Sequence, residues 1–151
     1  MTEIYVLAPL DGTVVALEDV PDEVFAQKMV GDGIAIDPSG AVAVAPVTGT
    51  LVKLFPGGHA YGITTNEGVE LIVHLGLDTI ELKGQGFEKL ATEGQQVKAG
   101  TPIVRFDRAT IERQGKVILS PVVSTGEGTI VRRASGKVQA GRDIAFVLQI
   151  P

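Results

Sequence analysis

The chain has two imidazoles, His59 and His74, and both fall in one stretch, FPGGHAYGITTNEGVELIVHLGLDTIEL from Phe55 to Leu82. An unprotonated imidazole nitrogen is nucleophilic near neutral pH, and two imidazoles brought together can share an anion, a metal or a proton. Whether they meet depends on the strands that carry them. Val69, Leu71, Val73 and Leu75 alternate with Glu70, Ile72 and His74, so a strand here turns the first set to a core and presents His74 on the other face. His59-Ala60-Tyr61-Gly62-Ile63-Thr64 reads as the partner strand, and Asn66-Glu67-Gly68 supplies turn chemistry between them. A four-residue loop, Thr65 to Gly68, pairs Thr64 with Val69 and sets His59 directly opposite His74, with Cβ atoms about 4.5 to 5.5 Å apart. This is the register the sequence predicts. A two-residue loop, Glu67-Gly68, keeps the histidines on one face but offset, and a three-residue loop puts them on opposite faces.

The rest of the chain reads as the scaffold for that hairpin. With 151 residues and 44% hydrophobic content, one globular domain spanning 1–151 is expected. Leu, Ile and Val supply its core; aromatic residues are few and Trp is absent, which argues against base stacking as its business. A net charge of −5 without a Lys/Arg cluster argues against nucleic acid and anionic lipid, and leaves a basic protein partner open. Zero cysteines exclude disulfide and thiolate chemistry in this chain. The start, Met1-Thr2-Glu3-Ile4, lacks the basic and apolar regions of a signal peptide, and no run reaches membrane-spanning length, so a cytoplasmic protein without direct membrane insertion is expected.

Glycine and proline recur at short intervals between alternating or β-branched segments, which predicts an all-β fold: an antiparallel β-sandwich of many short strands with one or two short helical turns. Ile4 to Ala8 and Thr13 to Leu17 are strands. Asp22 opens a helical turn through Phe25 and Lys28. Asp37-Pro38-Ser39-Gly40 joins Ile34–Ile36 to Ala41–Val44 as a hairpin. Thr92 to Phe106 reads as a second, tight hairpin, and Asp107 caps a helical segment through Arg113 that stops at Gly115. Val117–Leu119, Val122–Ser124, Thr129–Arg132 and Ile144–Ile150 close the chain as strands. Ala8-Pro9-Leu10-Asp11-Gly12-Thr13-Val14-Val15-Ala16-Leu17 returns as Ala45-Pro46-Val47-Thr48-Gly49-Thr50-Leu51-Val52-Lys53-Leu54, which points to an internally duplicated β unit whose two copies pack face to face. The alternative is that Pro-x-x-Gly-Thr recurs as ordinary turn-to-strand chemistry.

Three runs, EDVPDEVFAQKMVGDGIAI, VELIVHLGLDTIELKGQGF and EGQQVKAGTPIVRFD, with His59 ahead of His74, resemble enzyme IIA of the glucose family in the bacterial phosphoenolpyruvate-dependent sugar phosphotransferase system, over essentially the whole chain. The resemblance implies a β-sandwich with a shallow active face and a phosphohistidine at His74, with His59 as the partner imidazole that supports transfer. It implies an apolar docking rim at Phe25, Phe55, Leu75, Leu77 and Ile80, and acidic positions at Asp22 and Asp78 that meet arginines of partners. Those partners are the histidine-containing phosphocarrier protein as donor and a IIB domain of a sugar permease as acceptor, with room for regulatory targets, and no cofactor is required. Two departures stand out. Gly57 takes the place where many members have threonine, so no hydroxyl is available there, and the chain begins at the core strand without the amphipathic leader some members use to associate with membranes.

Each residue also has a plainer reading: Asp78 opens a turn, and phenylalanines are usually core. Two other functions compete. His59 and His74 with an acidic third ligand make zinc an alternative occupant, as in a peptidase-like β-sandwich, although no third histidine exists. EGQQVKAGTPIVRF resembles the closing hairpin of biotinyl and lipoyl domains, but neither Met1 nor Met29 flanks a candidate lysine, which leaves Lys98 as a solvated lysine.

Overall fold

The computed structural model describes residues 1–151. In chain order its strands are β1 (Thr2–Leu7), β2 (Gly12–Ala16), β3 (Asp32–Pro38), β4 (Val42–Val44), β5 (Gly49–Leu54), β6 (Ala60–Thr64), β7 (Glu70–His74), β8 (Phe87–Lys89), β9 (Gln96–Val97), β10 (Pro102–Phe106), β11 (Ser120–Ser124), β12 (Thr129–Arg133), β13 (Lys137–Val138) and β14 (Ile144–Ile150). Two short helices, α1 (Glu23–Ala26) and α2 (Arg108–Arg113), interrupt them, and each is capped by the aspartate the sequence points to: Asp22 accepts from Val24 N at 3.0 Å and Asp107 from Ala109 N at 3.2 Å.

All strand pairs are antiparallel. An eight-stranded sheet runs β13-β2-β3-β11-β7-β6-β5-β9, and two three-stranded sheets, β1-β14-β12 and β4-β10-β8, complete the β-sandwich. Residues of all three sheets share one apolar core, to which β7 contributes Leu71 and Val73, β11 Val122, β10 Ile103 and Val104, and β14 Phe146 and Leu148. Burying such side chains supplies the main driving force for the fold. A smaller cluster lies on the outer face of the large sheet, where Leu17, Val20 and Phe25, carried by a 3-10 turn and α1, cover Ala35, Val123 and Leu77.

The strand order of the large sheet is a palindrome of the repeat. Thr13 pairs with Lys137 and Asp37, while its counterpart Thr50 pairs with Gln96 and Thr64. The two copies are also tied reciprocally, Leu7 N to Pro46 O at 2.8 Å and Val44 N to Pro9 O at 2.9 Å. Equivalent residues making equivalent bonds favour duplication over chance recurrence. The copies do not pack face to face, however. They lie edge to edge in one sheet, related by a pseudo-twofold between β11 and β7 where Val122 meets Val73.

Three sequence-predicted elements differ. Ile34–Ile36 and Ala41–Val44 are strands but not a hairpin: both edges of β3 are taken by β2 and β11, so β4 joins β10 across the sandwich. Likewise the Thr92 to Phe106 stretch splits, with β9 pairing β5 and β10 held between β4 and β8. Val117–Leu119 is outside any ladder because its carbonyls serve elsewhere: Val117 O accepts from Leu77 N at 2.8 Å and Ile118 O from Ser120 Oγ at 2.6 Å.

Candidate functional site

His74 ends β7 on the outer face of the large sheet, as the alternation requires: Val69, Leu71, Val73 and Leu75 are buried inward, and Glu70, Ile72 and His74 are half-buried on the other side. Its partner strand adopts the three-residue loop instead of the four-residue one. Thr65 N donates to Val69 O at 2.9 Å, Gly68 N to Thr65 O at 3.0 Å, and Gly68 is left-handed at φ 86°, the geometry of a hairpin loop of Asn66, Glu67 and Gly68. Ala60, not His59, therefore lies opposite His74.

Strict alternation would send His59 inward with Tyr61 and Ile63. It escapes because β6 begins only at Ala60. The turn before it, closed by Gly58 N to Phe55 O at 2.8 Å, frees the His59 side chain to swing toward β7. The two imidazoles meet edge to face with ring centroids 5.3 Å apart. Phe25 packs on the far side of His74 at 5.3 Å and Phe55 on His59 at 5.2 Å, so four rings form a continuous row. Lys53 lies 5.5 Å above the Phe55 ring.

One hydrogen bond decides the chemistry of His74. Its Nδ1 is 2.6 Å from the carbonyl oxygen of Gly76. A carbonyl only accepts, so Nδ1 carries the proton and Nε2 keeps the free lone pair. Burial holds the His74 pKa below the ordinary 6.5, against the opposing pull of the Gly76 carbonyl and the Asp22 and Asp78 carboxylates. His59, 4% exposed, is lowered to about 4 by burial and then by the neighbouring His74. Both rings are thus neutral at pH 7, which leaves one nucleophilic nitrogen on His74 and one N–H donor on His59.

The proposed rim divides. Ile80 is 61% exposed and Phe55 half-buried, so both can meet a partner. Leu75 is fully buried in the main core, and Leu77 and Phe25 belong to the small outer cluster. Their apolar character is explained by packing, and Leu75 offers a partner no surface. Asp22 is half-buried as the α1 cap; Asp78 is exposed, left-handed at φ 57°, and precedes the 3-10 turn Thr79–Leu82, and its carboxylate also acts on the charge of His74. Val24, next to Phe25 in α1, is 45% exposed and is a further apolar side chain that sequence reading passed over. The Gly76 carbonyl was equally invisible, since backbone acceptors leave no side-chain signature.

An open cleft of about 370 Å³ lies against His59, bounded by Phe55, Gly57, Ile80 and Lys83. A Cβ at Gly57 would stand 3.6 Å from His59 Nδ1 and 3.1 Å from Gly84 N, so a hydroxyl-bearing side chain at this position would sit beside the histidine. A larger cleft of about 560 Å³ between α2 and β2 contains neither histidine, and its cations Arg108 and Lys116 are paired with Asp37, Glu112 and Glu81. No three His, Cys, Asp or Glu side chains gather as a metal-ligand group. The zinc alternative therefore lacks its third ligand.

Residues 4–141 match the family described as phosphoenolpyruvate-dependent sugar phosphotransferase system, EIIA 1. The glucose-specific EIIA component of Haemophilus influenzae is 44% identical over 149 residues, 97% of this chain and 90% of that protein. The N-acetylglucosamine-specific EIICBA component of Klebsiella pneumoniae is 48% identical over 139 residues, 90% of this chain but 21% of that longer protein. The solved structure of glucose permease IIA from Mycoplasma capricolum superimposes with a TM-score of 0.93 at 42% identity, covering 97% of this chain and 96% of that one. Fold and site together define the class: an antiparallel β-sandwich IIA domain, a phosphotransferase component of sugar transport. The chain belongs to the EIIA 1 family of the phosphoenolpyruvate-dependent sugar phosphotransferase system.

Proposed function

We propose that His74 carries the phosphoryl group, accepting it from the histidine-containing phosphocarrier protein and passing it to a cysteine on the IIB domain of a sugar permease, in the cytoplasm, with residues 1–151 acting as one IIA domain. The observation that carries this reading is the His74 Nδ1 to Gly76 O hydrogen bond, which leaves Nε2 as the attacking atom. The Nε2 lone pair forms the new P–N bond as the donor's own P–N bond breaks. Because Nδ1 keeps its proton, the phosphorylated ring is cationic. The Gly76 carbonyl and the carboxylates of Asp22 and Asp78, which already favour a charged His74, stabilise that cation. On departure to the IIB thiolate the ring leaves neutral, and no proton has to move at Nδ1.

His59 has the complementary role. Its neutral ring stands where an N–H can reach phosphoryl oxygens as the bond to His74 breaks, and positioned donors of this kind carry most of the catalysis in phosphoryl transfer. Phe25 and Phe55 exclude water from the labile phosphoramidate. Exposed Ile80 and Val24 give the donor and acceptor an apolar landing, and Asp22 and Asp78 face their arginines. Incubation with phosphoenolpyruvate, enzyme I and the carrier protein, followed by addition of a purified IIB domain, tests the sequence of transfers. Phosphate should appear first on this chain and then on IIB; a chain that stays unphosphorylated under conditions where the carrier protein is charged overturns the reading.

A further inference from the structure

We infer that Ser120 is a positioning residue for His74: its hydroxyl fixes the turn whose carbonyl selects the His74 tautomer. This role rests on the reading of His74 as the nucleophile. Ser120 opens β11 on the inner face of the large sheet, 1% exposed, under the chain that leaves β7. Its single hydroxyl hydrogen goes to Ile118 O at 2.6 Å, so its lone pairs are free to accept, and Gly76 N donates to it at 3.1 Å. The peptide that follows is held as well: Leu77 N donates to Val117 O at 2.8 Å while the carbonyl of the same peptide unit accepts from His74. Hydrogen bonds aligned through one peptide polarise one another. From the other side the Thr79 hydroxyl holds Leu75 O at 2.7 Å.

No side chain at position 76 can take over this duty. Gly76 is left-handed at φ 83°, and a Cβ there would stand 2.6 Å from the Thr79 Cγ2 and 2.9 Å from Val117 O. Nor does sheet packing require the hydroxyl. Ser120 faces Ile36 on β3, and the pseudo-twofold maps this pair onto Leu71 facing Ile63 on β6. The equivalent site thus accepts a fully buried leucine. The polar residue stands in the copy of the position that adjoins the His74 turn.

Removing the hydroxyl leaves Gly76 N–H buried without its acceptor, and the turn must move to satisfy it. Movement of Gly76 loosens the bond to His74 Nδ1 and admits the other neutral tautomer, in which Nε2 carries the proton and cannot attack.

The test is nitrogen-15 NMR of His74 in the unphosphorylated full chain at a pH where the ring is neutral, with the rate of phosphorylation by the carrier protein measured in parallel. Wild type and Ser120→Thr should show one tautomer, protonated at Nδ1. Ser120→Ala should show a mixture and be phosphorylated about tenfold more slowly, the lower end of what the outer partners that orient a metal-ligating imidazole contribute. A wild-type tautomer in Ser120→Ala, whatever its melting temperature, overturns the inference. If Ser120→Ala does not fold, Ser120→Cys, with a weaker acceptor of similar size, should shift the tautomer ratio where Ser120→Thr does not; identical spectra for the two overturn it. The tautomer readout needs no phosphoryl donor, so a wild type that is never phosphorylated removes the reading of His74 as nucleophile without disturbing this measurement.

Discussion

The backbone of His59 pairs with Leu75, not with His74: Leu75 N donates to His59 O at 2.7 Å, while the two imidazole rings still meet at 5.3 Å. The histidines are therefore one residue out of step along the ladder and in contact through side chains alone. His59 is positioned by its turn and by Phe55, which makes it separable from the strand that presents His74. His59→Gln should accept phosphate from the carrier protein at a measurable rate, since attack needs only Nε2 of His74 and a docked donor. Onward transfer to IIB should slow about a hundredfold or more, the usual cost of losing a preorganised donor. Rapid-quench kinetics of the two steps, run separately, check this.

The depressed histidine pKa values set a pH signature. The midpoint at which phosphorylation falls off in acid should lie below pH 6.5, because burial holds the His74 pKa below that of an ordinary imidazole. Stability should move in the opposite sense. For His59, whose folded pKa is about 4 against 6.5 for an ordinary imidazole, the unfolded chain binds the extra proton in that window, so stability is complete above pH 6.5 and is lost as the pH falls toward 4. The slope is at most about 1.4 kcal/mol per pH unit for one histidine. Denaturation midpoints of wild type and His59→Gln, compared from pH 7 to 4, should converge as the pH falls.

Phosphorylation of His74 should raise the His59 pKa. Today the neighbouring His74 disfavours charge on His59, whereas a phosphoryl dianion in the same place favours it. An NMR titration of His59 in the phosphorylated and free proteins reads this as an upward shift. An unchanged midpoint would place the phosphoryl group out of reach of His59.

Phe25 joins the site to the fold. It is 7% exposed, sits in the small outer cluster with Leu77 and Val123, and packs on His74. Phe25→Ala should cost about 3 kcal/mol of stability, read from urea denaturation, as expected for truncating a buried aromatic ring. It should also admit water to the phosphohistidine and shorten its lifetime.

Much of this was written locally in the chain. The alternation from Val69 to Leu75, the Asp22 and Asp107 caps and most strand-forming runs, Val117–Leu119 excepted, are set by near neighbours, and the structure realises them. What escaped was set by competition at a distance. The hairpin between β3 and β4 fails because β2 and β11 already occupy both edges of β3. The loop of the histidine hairpin differs by one residue because Gly68 turns left-handed and the Thr65 hydroxyl accepts from Val69 N at 3.2 Å. That slip should have parted the histidines, and only the early end of β6 lets His59 turn back. The Gly76 carbonyl and its support by Ser120 join residues far apart in sequence and could not be read from either stretch alone.

The central claim is that His74 is the phosphorylated residue and Nε2 the atom. The most direct measurement is phosphorylation of isotopically labelled protein by phosphoenolpyruvate, enzyme I and the carrier protein, with the P–N bond assigned by NMR, alongside His74→Ala. Wild type should carry one acid-labile, alkali-stable phosphoryl group on Nε2 of His74, and His74→Ala should be folded and unphosphorylated. Phosphate retained in His74→Ala, or a bond to Nδ1 in wild type, would contradict both the assignment and the role of the Gly76 carbonyl.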